Sequence, residues 1–249
     1  MGCDPRVLRM KSAAVLAIGA INGLSMAYAA APAADAGLTR RVFDDTGTFW
    51  TQQFTQLGGH YQPPGLTLYS AQSSGLCEQK EPMSGAFYCP ADHHLYLDPK
   101  ALEAIGARAR ADSAVAQSFV IAHLVAHHVQ YLIGTTALVQ QARSSSTAEN
   151  ANRTLVTLEL QADCYAGLWL HSAAQHNVLT VTPEALSAAV AAVANESLAR
   201  AHALPAGTLV PDPMDTGTAA QRLRWTQRGF ESGNFEGCDT FGAAAKGEL

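Results

Sequence analysis

His123 and His127 stand four residues apart in the segment VIAHLVAHHVQYLIG, Val120 to Gly134. On a helix, residues at this spacing lie on one face, one above the other. Two imidazole nitrogens can then reach one metal ion. In the H-E-x-x-H motif, the residue after the first histidine is a glutamate that serves as general base. Here that residue is Leu124. A bare histidine pair is equally compatible with two hydrogen-bonded core residues. A second segment, LELQADCYAGLWL (Leu158 to Leu170), changes the balance. It places Glu159 and Asp163 four apart among Leu155, Leu158, Leu160, Cys164, Leu168 and Trp169. A buried carboxylate is costly unless paired or metal-bound. Glu159 would complete a set of two histidines and one glutamate, the ligand composition of one class of catalytic zinc site. Asp163, one turn on, could accept the other N–H of a ligand histidine and fix its tautomer. The alternative is a solvent-facing Glu159 and Asp163, which fits poorly with the uncharged residues around them.

Other histidines and cations have blander expectations. His128 is one residue step off the ligand face and is expected to make a structural hydrogen bond. His93 and His94 fall in a turn and are expected to face solvent. Arg222, Arg224 and Arg228 suggest a charged helix face, solvated or salt-bridged.

The elements that must carry these residues follow from pattern. A helix is expected over Asp45 to Leu57, ended by Gly58-Gly59. Gly65 to Ala71 has strand character. Gly85 to Pro99 reads as two short strands around a turn at Pro90 to Asp92. Asp98-Pro99 opens a helix with an aspartate cap and a proline in the first turn. Ser113 to Leu132 is a helix stopped by Gly134. The polar, serine-rich Thr135 to Asn150 reads as a loop. Helices follow over Arg153 to His176 and, with Thr182 as cap, from Pro183 to Ala203. Leu204 to Thr218 holds too much proline and glycine to be helical. Thr218 caps a last helix, and Gly233 ends it. The architecture expected is a small sheet packed on a helical bundle in one domain.

Of the 249 residues 48% are hydrophobic and 15% charged, with a formal net charge of -5. That is enough apolar residue for one packed domain, and the balance argues against nucleic-acid binding. At the N-terminus, Arg6, Arg9 and Lys11 precede the apolar stretch Ala13 to Ala30, and Ala27-Tyr28-Ala29 forms an A-x-A cleavage signature. Translation could start at Met1 or Met10. We expect a signal peptide over 1–29, a linker over 30–40 and the domain over 41–245. The rival is an uncleaved N-terminal anchor, the one route to a membrane. Export, to the periplasm or beyond, bears on the cysteines. Cys3 precedes the apolar stretch, which leaves Cys77, Cys89, Cys164 and Cys238, an even number that suggests two disulfides outside the cytosol. Of three pairings, Cys77–Cys89 is the local choice across the hairpin and leaves Cys164–Cys238. Free thiols are the alternative; a Cys/His zinc site lacks any C-x-x-C pair.

At this point the sequence resembles a bacterial family, the neutral zinc metallopeptidases of gluzincin type. Four motifs carry the likeness in order. An AHEVGHHVQ-like helix is matched by AHLVAHHVQ at Ala122 to Gln130. An ELQADC-like helix is matched at Glu159 to Cys164, and an FYCPAD…YLD hairpin at Phe87 to Asp98. The closing SAQR…W…RGF…CDTF pattern is matched at Ala219 to Phe241. The resemblance covers about Phe49 to Phe241. It implies an α+β, zincin-like, mainly helical fold, with zinc on His123, His127 and Glu159 and Asp163 behind them. Two departures matter. Leu124 replaces the family's glutamate, and Asp215-Thr216-Gly217 stands where members commonly carry T-H-G, so a histidine able to assist the transition state becomes Thr216. Ala126 for glycine is milder.

Zinc lowers the pKa of bound water to about 7 without help. Proton transfer by the missing base is worth ~10²–10⁴-fold, or about 3–5.5 kcal/mol. Glu149, in the expected loop, and Asp92, in the turn, are poor substitutes. The expectation is a zinc binder with lost or strongly reduced peptidase activity. Two rivals remain. One is a pseudoenzyme that holds a peptide or protein partner in the old cleft, and the other is a metal-free structural domain.

Overall fold

The computed structural model describes residues 36–69, 76–78, 85–203 and 216–249. The expected signal peptide, Cys3, most of the linker and Asp215 lie outside them. The described residues form one unit. Its elements in order are α1 (Ala36–Gln56), β1 (Gly65–Leu68), β2 (Ala86–Cys89), β3 (His94–Leu97), α2 (Pro99–Ala109), α3 (Ser113–Leu132), α4 (Thr135–Ser144), α5 (Ala148–Gln175), α6 (Pro183–Ala203), α7 (Ala219–Ser232) and α8 (Thr240–Lys246). The fold is α+β and mainly helical.

The sheet is small and two-faced. β3 lies in the middle, parallel to β1 and antiparallel to β2. Successive strand residues point to opposite faces. Leu95 and Leu97 therefore enter the main core, while Tyr96 packs with Phe87, Cys89 and Tyr69 on the other face. The Cys77–Cys89 disulfide closes that second cluster. After the hairpin, Asp98 caps α2 by accepting from the Lys100 N–H at 3.0 Å, with Pro99 in the first turn.

Three expected boundaries need correction. α1 begins at Ala36, nine residues before Asp45, and takes in the end of the expected linker. Its buried stripe includes Thr39 and Thr46 as well as Val42 and Trp50. Polar residues in that stripe hide the period, and Thr46 Oγ1 is satisfied by donating to the Phe43 carbonyl. Thr135 to Asn150 is not a loop. It forms α4 and the first turn of α5, with Val139 buried. Only Ser145, Ser146 and Thr147 separate the two helices; the hydroxyls of Ser144, Ser145 and Ser146 turn back onto the carbonyls of Gln141 and Ala142, and Thr147 caps α5. Serine favours such local bonds over continuing a helix. α7 is not the last helix either: Asp239 caps the short α8.

α3 packs against α1, α2, α5 and α6, and α5 is gripped on its other side by α7. The grip depends on two glycines. A Cβ on Gly167 of α5 would overlap the Thr226 carbonyl, and one on Gly229 of α7 would overlap the Cys164 carbonyl. Backbone meets backbone there, so no side chain can yield. Gly229→Ala is expected to lower unfolding stability by about 2–3 kcal/mol, the upper range of overpacking, read as a lower midpoint in a urea titration. An unchanged midpoint would mean that the helices separate freely.

The Cys164–Cys238 disulfide joins the same helix to the segment after α7. Both pairings match the sequence expectation. The two cysteines are 74 residues apart, a loop for which the chain-entropy model gives about 4 kcal/mol. A Cys164→Ser, Cys238→Ser double variant is expected to lose stability of that order in non-reducing denaturation, while a loss under about 1 kcal/mol would refute a structural role.

Candidate metal centre

α3 and α5 cross so that their expected ligands meet. His123 Nε2 lies 3.1 Å from His127 Nε2. Glu159 reaches both, with Oε2 at 3.3 Å from His123 Nε2 and Oε1 at 3.4 Å from His127 Nε2. Together they form a group close enough to hold one metal ion. Zinc bonds of about 2.0–2.2 Å to nitrogen and carboxylate oxygen put tetrahedral neighbours about 3.3–3.5 Å apart. The two contacts to the carboxylate, one to each of its oxygens, fall in that range, and the histidine nitrogens lie slightly closer.

Each histidine is held from behind. His127 Nδ1 donates to Gln130 Oε1 at 2.9 Å. Gln130 in turn donates through Nε2 to the Leu158 carbonyl and to Gln161 Oε1, which fixes its oxygen toward the imidazole. His123 Nδ1 lies 2.9 Å from Asp163 Oδ1, a close but bent ionic contact. Asp163 is fully buried and receives Arg222 of α7 in a two-pronged pair, Nε to Oδ2 and Nη2 to Oδ1, both at 2.8 Å. Both rings therefore turn Nε2 to the shared point. Placing Arg222 there requires the glycine contact between α5 and α7, because Thr226 and Gly229 lie on the same face as Arg222.

The cluster favours positive charge. Burial works against a proton on His123, but Asp163 and Glu159 outweigh it and raise its pKa to about 9. Burial would also push the two carboxyl groups up. Instead His127 and His123 hold Glu159 well below the usual carboxylate range, and Arg222 and His123 hold Asp163 below it. Asp163 likewise keeps Arg222 protonated. A site that retains a histidine proton despite burial presents the negative potential that a divalent cation needs.

A cleft of about 320 Å³ opens on the group. Leu124, 6% exposed, forms part of its wall beside His123. Strand β2, an edge of the sheet, lines the mouth with Ala86, Phe87 and Tyr88. Among the described residues lining the cleft, Glu159 is the one carboxylate. Asp92 is engaged elsewhere, by the Tyr96 hydroxyl, and Glu149 lies in the first turn of α5 beside a different groove. Thr216 does line the cleft.

The family model described as "Putative neutral zinc metallopeptidase" matches residues 1–241. The chain belongs to that family. It is 40% identical over 209 residues to uncharacterized protein YpfJ of Escherichia coli, covering 83% of this chain and 71% of that one. It is 34% identical over 199 residues to uncharacterized protein Mb2605 of Mycobacterium bovis, covering 75% and 65%. The same figures hold for uncharacterized protein Rv2575 of Mycobacterium tuberculosis. No solved structure matches.

In this zinc metallopeptidase family member the remaining singled-out residues take structural places. His128 is buried, with Nε2 donating to the Gln62 carbonyl at 2.7 Å and Nδ1 accepting from the Tyr88 hydroxyl at 2.9 Å. His93 is exposed in the turn, its ring against Tyr131; His94 is half-buried and opens β3. Two positioning roles escaped the sequence analysis, although Arg222 is salt-bridged as one of its expectations had it. Gln130 falls three residues after His127, on the ligand face of α3. Arg222 differs from Arg224 and Arg228 in sharing its face with the small residues Thr226 and Gly229, the signal that it points inward.

Proposed function

We propose that this chain is an exported zinc-binding member of its family in which peptide hydrolysis is lost or strongly reduced. The observation that carries the reading is the pairing of an assembled His123–His127–Glu159 group with Leu124 in the adjoining cleft wall. His123, His127 and Glu159 would hold the ion, and Asp163 and Gln130 would keep the rings turned to it. A bound zinc ion supplies Lewis acidity and a water of pKa about 7. Hydrolysis also needs a proton acceptor beside that water, and a leucine side chain accepts none. Its isobutyl group excludes water from the place where a base would work. Two disulfides support export, since they persist in oxidising compartments. No helix among the described residues is long and apolar enough to cross a membrane.

A second reading has its own support. The edge strand β2 at the mouth of a largely apolar cleft suits an extended peptide, which can add to the sheet edge by main-chain hydrogen bonds. The chain would then bind a peptide or protein partner without cleaving it. Both readings share one test. Zinc-loaded protein incubated with a fluorogenic peptide library is expected to cleave at least ~10²-fold more slowly than an ordinary metallopeptidase, down to the level of a chelator-treated blank. Turnover at ordinary metallopeptidase rates would overturn both.

A further inference from the structure

We propose that Arg222 recognises the C-terminal carboxylate of a bound peptide whose last side chain is apolar. The proposal rests on the second reading above, that the cleft holds a peptide. Arg222 is only 3% exposed and lines the cleft. Nε and Nη2 are committed to Asp163. Nη1 has no hydrogen-bond partner among the described residues. The guanidinium carbon lies 6.0 Å from the centre of the Phe119 ring, which forms the wall beside it. Paired with Asp163, the guanidinium plane cannot swing, so its third nitrogen is fixed and short of a protein acceptor.

That acceptor must come from a ligand. Glu159, the one lining carboxylate, is turned to His123 and His127. Charge selects a carboxylate over a carbonyl. Arg222 and Asp163 cancel each other, and Glu159 offsets half the charge of a divalent cation held with the two histidines. One positive charge is left over in a cleft whose walls exclude water, where it is felt strongly. Leu124 adds no negative charge to oppose an incoming anion. A single ligand carboxylate restores neutrality. Ile105, Phe119, Val120 and Val193 line the cleft with Arg222, so the side chain next to that carboxylate is apolar. The preceding backbone runs out past β2.

The test is calorimetric binding to the zinc-loaded full chain, with N-acetyl-Ala-Ala-Phe as free acid and as C-terminal amide. The unaltered protein should bind the acid roughly tenfold tighter or more, the scale of a charge-assisted pair. Arg222→Lys keeps a cation opposite Asp163 but lacks the third planar nitrogen. It should lose the acid preference, measured with zinc in excess so that the site stays filled even if the change loosens the ion. Val193→Trp leaves the Arg222–Asp163 pair intact, fills the chamber and should weaken the acid. Equal binding of acid and amide by the unaltered protein would overturn the carboxylate site while leaving a peptide cleft in place. Acid preference that survives Arg222→Lys, or acid binding untouched by Val193→Trp, would put the carboxylate elsewhere, on the metal first, and overturn the assignment. Binding of neither peptide would sink this inference and the peptide-binding reading together.

Discussion

Leu124→Glu is expected to raise zinc-dependent peptide hydrolysis by ~10²–10⁴-fold, the contribution of a positioned general base. The expectation follows from where Leu124 is. It lines the cleft one residue after His123, on a helix buried along most of its length. Glutamate is a good helix former, so the substitution leaves α3 intact. Zinc content should hardly change, because position 124 supplies no ligand. Chelation should abolish the gain. Thr216 lines the same cleft, and a Thr216→His partner change should add to it. A double variant that binds zinc yet stays inert would show a cleft remodelled for binding, and the partner-binding reading would then lead.

His123→Ala is expected to abolish stoichiometric zinc. It leaves His127 and Glu159 as two ligands and removes the contact through which Asp163 and Arg222 orient the first ring. The loss should exceed the ~10–100-fold typical of outer-shell changes. Glu159→Gln should do the same while keeping the side chain's shape, so loss of zinc there cannot be ascribed to unfolding. Asp163→Asn is different in kind. It should weaken zinc by ~10–100-fold and also destabilise the fold by about 3–5 kcal/mol, because Arg222 is left charged, buried and unpaired. Equilibrium dialysis with a competing chelator, run beside urea unfolding, separates the two effects. Equal zinc affinity in His123→Ala and the unaltered protein would remove His123 from the ligand set.

The residues that meet at the centre were legible because their spacing is local. His123 and His127 share a face of α3, and Glu159 and Asp163 share one of α5, whatever the rest of the chain does. Asp98-Pro99, Thr182 and Thr218 marked helix starts through capping chemistry that a sequence displays directly. What escaped depends on tertiary contact. Thr39 and Thr46 are buried in α1 only because other helices cover them, so the polar stripe concealed where that helix begins. In α4 an exposed Leu138 and a single buried Val139 gave too weak an apolar face to distinguish a helix from a loop. Arg222 looked like its neighbours Arg224 and Arg228. Its partner lies 59 residues away, reached only through the glycine contact of α5 with α7. Gln130 likewise acts through Leu158 and Gln161 on another helix.

The most direct test of the central claim is the zinc content of the unaltered chain. Protein purified without chelator, supplied with zinc and freed of excess by gel filtration, should carry one zinc per chain by plasma mass spectrometry. A chain that retains none, with both disulfides intact, would contradict the account: the His123–His127–Glu159 group would then be a buried ionic cluster and not a metal centre.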